Sequence, residues 1–167
     1  MQSKTRKIVM TALMIACICA ATIVIKIPSP LKGYLNLGDC AVLLAGWILS
    51  PGYAFLAAGT GSALADLFSG YVAYVPATFV IKGLMALIVF SCYRLFQKKP
   101  GVLVSQLVGG VLAELFMVLG YYLFEGCIYG FVPSLVNIPA NAVQGVAGLI
   151  IGLILVRVYC AKKKGNL

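Results

Sequence analysis

The chain has no histidine, and only four of its 167 residues are acidic: Asp39, Asp66, Glu114 and Glu125. Charged residues make up 10% of it, against roughly 25% in soluble domains. The missing histidine removes HExxH metalloprotease chemistry and leaves zinc ligation to cysteine alone. The six cysteines form no CxxC pair, so they read as small apolar residues of a buried interior. Cys40 and Cys127 both fall near one face in the topology below, which leaves a disulfide between them as an option. No GxxxxGK[ST] occurs, so the chain has no phosphate loop with which to hydrolyse ATP. There is no linker, no low-complexity run and no charged domain, and residues 1–167 read as one unit.

What is present is apolar surface. Hydrophobic residues are 62% of the chain and the mean hydropathy is +1.05. A water-soluble fold of this length has no way to bury so much, and a bilayer is the solvent that fits. Six apolar segments are separated by polar or Pro/Gly punctuation: Ile8–Ile25, Asp39–Ser50, Tyr53–Phe68, Ala77–Phe96, Val102–Phe124, and Val136 to about Tyr159. The first has the basic start of a signal peptide, but it is long for one and is read as a retained helix. Segments two and three are shorter than the ~20 residues of a perpendicular span.

The basic residues fix a sidedness. With six spans, ten of them lie on one side: Lys4, Arg6, Lys7, Arg94, Lys98, Lys99, Arg157, Lys162, Lys163 and Lys164. Only Lys26 and Lys32 lie on the other, and Lys82 falls inside segment four; the polar outer connections are Lys26–Gly38, Ser69–Pro76 and Glu125–Leu135. The positive-inside rule then makes both termini cytoplasmic. The expected fold is an all-α integral membrane protein of six transmembrane helices.

Ionisable groups inside a membrane are costly and mark candidate sites. Lys82 on segment four, Glu114 and Tyr121 on segment five, and Asn137, Asn141 and Gln144 on segment six fall at overlapping depths in the outer half. Together they predict a polar pocket, open to the outside and fitted to a small, flat, polar solute. The structural alternative is a buried ion pair of Lys82 with Glu114 or Asp66, the amides being interhelical glue. The first outer loop mixes stiff Pro28 and Pro30 with hinge-like Gly33 and Gly38 around Tyr34 and Asn36, and reads as a lid or as an ordinary loop capped by Asp39 where it enters segment two. Ala12, Ala16 and Ala20 form a small-residue stripe on segment one that allows close helix approach.

Asn36-Leu37-Gly38-Asp39, Gly61-Ser62-Ala63-Leu64-Ala65-Asp66 with Gly70-Tyr71, and Pro76-Ala77-Thr78-Phe79-Val80-Ile81-Lys82-Gly83 together resemble the substrate-binding S components of energy-coupling factor (ECF) vitamin transporters. The similarity extends over nearly the whole chain, and the nearest branch resembles the pyridoxine or hydroxymethylpyrimidine type, with riboflavin-type relatives nearby. The resemblance implies a binding subunit in a bacterial plasma membrane that captures a vitamin at the outer face. It implies docking on a transmembrane coupling protein driven by two cytoplasmic ATPases, with the alanine stripe as the docking face. It implies a ligand site built from helices four to six, gated by the first outer loop, and no cofactor of the chain's own. Two other classes were weighed. An intramembrane enzyme would rely on Asp39 and Asp66, which the topology puts near the outer surface. A stand-alone channel or facilitator would need no coupling protein.

Overall fold

A computed structural model describes residues 4–29 and 34–165. Pro30 and Gly33, read above as stiff and hinge-like, lie outside the described residues. The chain folds as helices α1 (Lys4–Val24), α2 (Gly38–Ile48), α3 (Pro51–Phe68), α4 (Val75–Phe96), α5 (Val102–Tyr129), the single-turn α6 (Phe131–Ser134) and α7 (Ile138–Gly165). Between α1 and α2 lie two short strands, β1 (Lys26–Pro28) and β2 (Tyr34–Asn36), paired antiparallel with Lys26 opposite Asn36 and Pro28 opposite Tyr34.

Among the described residues, four stretches are long and apolar enough to cross a membrane: Lys4–Val24, Val72–Phe96, Val102–Tyr129 and Phe131–Lys162. The other two large helices have a different character. With 11 residues, α2 extends only about 16 Å, roughly half a hydrocarbon core. Gly38 to Leu43 are all buried, as are Ala45, Gly46 and Trp47. A helix enclosed on every side need not be amphipathic, and α2 is the post around which α1, α3, α4 and α7 pack. In α3 the apolar run is broken by Gly59, Thr60, Gly61, Ser62 and Asp66, four of which are buried against neighbouring helices. Pro51 opens this helix, where its missing N–H costs nothing.

Helix crossings depend on small residues. A Cβ added at Gly61 would stand 2.8 Å from the Ile15 carbonyl oxygen, so α1 and α3 meet backbone to backbone. That contact uses one face of α1, on which Thr11, Met14, Ile18 and Thr22 are buried at helical spacing. Ala12, Ala16 and Ala20 point the other way and are exposed. Val42, Leu43, Met85, Val89 and Met117 fill the centre. Outside them, Leu13, Leu115, Leu119, Val143, Val146 and Ile154 present an apolar girdle that suits lipid rather than water.

One helix runs past its expected end. Segment five was read to stop at Phe124, with Glu125 opening a polar loop, whereas α5 continues to Tyr129. Glu125 is 3% exposed and accepts hydrogen bonds from Tyr74 and Asn137, so it is a packed helix residue. The helix ends at Gly130, whose φ of +93° suits glycine. The cysteine reading is also corrected. Cys40 is buried, Cys127 is exposed, and both are free thiols.

Candidate functional site

The hairpin, the start of α2, the α3–α4 turn, the α5–α6 junction and the start of α7 all lie at one end of the bundle, because the large helices alternate in direction. A polar cleft lies there, with a cavity of about 30 Å³ beneath the hairpin. Tyr34 and Asn36 of β2 and Ser29 form its roof. Asp66, Tyr71, Tyr74 and Thr78 come from α3, the turn and α4, and Tyr121 and Glu125 from α5. Asn141 and Gln144 of α7 close the last side.

Helical spacing brings these groups together. Tyr74, Thr78 and Lys82 follow one another at intervals of four, which puts them on one face of α4. Tyr121 and Glu125 repeat the interval on α5, and Thr78 Oγ1 and Tyr121 OH lie 3.1 Å apart. The phenols stack loosely, with Tyr34 and Tyr71 ring centres 4.7 Å apart and Tyr71 and Tyr74 edge to face at 6.2 Å.

The roof is tied down at both sides. Tyr34 OH donates to Asp66 Oδ1 at 2.6 Å, and Lys26 Nζ donates to Ser69 Oγ at 2.8 Å. On the far side the Asn36 backbone N–H donates to Gln144 Oε1 at 2.9 Å. Burial, the Asp66 charge and the hydrogen bond to it push the Tyr34 phenol well above its ordinary range, so it remains a donor at neutral pH. Asn36 also turns the chain into α2, its Oδ1 accepting the Gly38 N–H at 2.8 Å.

Behind the cleft lies a buried polar relay. Gln144 Nε2 donates to Asp39 Oδ2 at 2.6 Å, and Asp39 Oδ1 is paired with Lys82. The side chains of Lys82 and Asp39 are 3% and 0% exposed. The lysine's partner is therefore Asp39, and neither Glu114 nor Asp66 as the sequence reading supposed. Asp39 was read there as a helix cap. Pairing across 43 residues has no local signature, and it is decided by α2 packing against α4. Glu114 is buried beside this pair with no hydrogen-bond partner for either carboxyl oxygen. Two glycines leave space for it: a Cβ at Gly145 would lie 3.1 Å from Oε2, and one at Gly148 would lie 3.3 Å from Oε1 and 2.8 Å from Asp39 Cβ.

Of the residues singled out from sequence, Tyr34, Asn36, Tyr121, Asn141 and Gln144 line the cleft. Lys82, Glu114 and Asn137 do not, although Asn137 Nδ2 donates to Glu125 Oε1 at 2.9 Å. Sequence reasoning missed Glu125, Tyr74, Thr78 and the lining role of Asp66. The fourfold spacing of Tyr74 and Thr78 before Lys82, and of Glu125 after Tyr121, was the available signal.

Residues 2–161 match a family model described as the ECF-type riboflavin transporter, S component. The chain belongs to the S components of ECF transporters. An S component is the substrate-binding subunit of a membrane transporter, not an enzyme, and the apolar helices agree with that setting. This S component is 36% identical over 136 residues to an uncharacterized protein encoded in a gap 3′ region of Pyrococcus woesei, covering 81% of the present chain and 88% of the relative. Its fold superposes with a TM-score of 0.76 on a solved structure titled "Structure and mechanism of the S component of a bacterial ECF transporter". That match covers 97% of this chain and 99% of the other at 19% identity, so it speaks to the fold.

Proposed function

We propose that this S component captures a small vitamin or vitamin precursor in the hairpin-roofed cleft, pyridoxine or hydroxymethylpyrimidine being the preferred ligands. The observation that carries the reading is a tyrosine-rich polar cleft at one end of an apolar bundle, its roof held by side chains of α3 and α7. Flat rings fit between phenols, and Asn141, Gln144 and Thr78 supply hydrogen bonds that orient them. Tyr34, Asn36 and Tyr121 contact the ligand. Lys82 and Glu114 serve the site from behind, through Asp39 and Gln144, and Asn137 serves it through Glu125.

The chain crosses a bacterial plasma membrane with six helices, counting α2 and α3 as short spans shielded by their neighbours. Lys4, Arg6, Lys7, Arg94, Lys98, Lys99 and Arg157 cluster at the end away from the cleft, which supports cytoplasmic termini and an outward-facing site. The exposed alanines Ala12, Ala16 and Ala20 are the docking stripe for a transmembrane coupling protein driven by two cytoplasmic ATPases. Riboflavin is the second reading, favoured by the wording of the matching family description.

A thermal-shift screen of the purified protein against B vitamins and their precursors tests the proposal. Pyridoxine or hydroxymethylpyrimidine should raise the unfolding temperature more than any other member. Stabilisation by riboflavin alone would install the second reading.

A further inference from the structure

The electrostatic character of the cleft is one-sided. Among the described residues that line it, two are acidic, Asp66 and Glu125, and none is lysine or arginine. Among the described residues, the nearest cations are already engaged. Lys82 is paired with Asp39 behind the Tyr121 ring. Lys26 is at the exposed rim, bonded to Ser69 and lying 5.8 Å from the centre of the Tyr34 ring. Glu125 is 97% buried, by its 3% exposure, and its two oxygens differ. Oε1 accepts from Tyr74 and Asn137, while Oε2 has no hydrogen-bond partner. A buried carboxyl oxygen without a donor is unfavourable, and a ligand donor arriving there removes the deficit. Four phenol rings, those of Tyr34, Tyr71, Tyr74 and Tyr121, surround the same space and present faces that attract positive charge.

We propose that the cleft selects an unphosphorylated aromatic nitrogen heterocycle bearing an amino or protonated-nitrogen donor, which it places against Glu125 Oε2 among the tyrosines. This rests on the reading of the cleft as the ligand site and adds the charge rule for its occupant. A phosphate or carboxylate on the ligand would meet Asp66 and Glu125, with no free cation among the described lining residues to answer it. Removing the amino donor would leave Oε2 buried and unsatisfied in the complex as well, and sites built to receive a donor reject analogues that lack it.

The test uses the full chain in lipid nanodiscs and isothermal titration with three probes: hydroxymethylpyrimidine with its ring amino group, the same compound phosphorylated, and the version in which hydrogen replaces the amino group. The amino compound should bind at least about tenfold more tightly than either of the others. Glu125→Gln should weaken the amino compound and narrow its advantage over the des-amino version. The wild-type series stands by itself if that variant does not fold. Equal or tighter binding of the phosphorylated or des-amino probe, lost in Tyr71→Ala, would overturn the charge rule and keep the cleft as the site. Failure of all three probes, together with failure of the vitamin screen, would overturn both.

Discussion

Gln144 is the residue at which roof and interior meet. Its oxygen accepts from the Asn36 backbone and its nitrogen donates to Asp39, so one side chain links β2 on one side to the Asp39–Lys82 pair on the other. Removing one member of such a pair leaves an uncompensated buried charge, which costs about 3–5 kcal/mol. Lys82→Met should therefore lower stability by about that amount, read as a fall in unfolding temperature in detergent. Adding Asp39→Asn should recover much of the loss. Additive losses in the double variant would mean that the two groups do not act as a pair. Individual residues were legible from sequence in part. Intramembrane polar groups stand out against an apolar background, which found Tyr121, Asn141 and Gln144. Asp39 and Glu125 were assigned to a cap and a loop, because a carboxylate next to a glycine or at the end of an apolar run resembles a surface residue until its distant partners are known.

At the scale of elements, the proposed function gives the hairpin and α1 separate tasks. The hairpin covers the cleft through Tyr34 on α3 and Asn36 on α7. Tyr34→Phe deletes a hydrogen bond to a carboxylate, an interaction worth about 1.5–3 kcal/mol. Ligand release should then be faster by about tenfold or more, measured by chase of labelled ligand in stopped flow. An unchanged release rate would mean that the Tyr34–Asp66 contact does not hold the roof. The same phenol fixes a pH sense. Its folded-state value lies well above that of an exposed phenol, so the stability the latch contributes is full below about pH 10 and declines from there until pH reaches the raised folded-state value. On α1, buried Met14 and Ile18 face the bundle and Ala12, Ala16 and Ala20 face outward. Ala16→Trp should leave ligand affinity intact and abolish ATP-driven uptake in cells; normal uptake would end the docking assignment. Helices were the most legible level, since apolar runs bounded by Pro51, Gly70 and Pro100-Gly101 announce their ends. Strands β1 and β2 were not, because three-residue strands carry no usable periodicity. The length of α5 was misjudged for the reason given at Glu125.

The whole molecule is polarised, with its cleft at one end and most of its described basic residues at the other. Cysteine substitution probes this directly. Asn36→Cys should react with an impermeant maleimide applied outside intact cells, and Lys98→Cys only after permeabilisation. The reverse pattern would invert the topology. Polarity of this kind was readable from the placement of lysine and arginine alone, since charge sidedness is a property of loops and needs no packing information. Which helices enclose α2 was not readable, because a helix buried on nearly every side has no solvent face to orient it.

The clasped roof has a kinetic consequence. On the reading that the hairpin gates the cleft, its contacts to Asp66, Ser69 and Gln144 must break together before a solute enters. The observed association rate should therefore rise with solute concentration and then level off at the unclasping rate. The plateau height would then be a property of the protein, the same for every solute that fits.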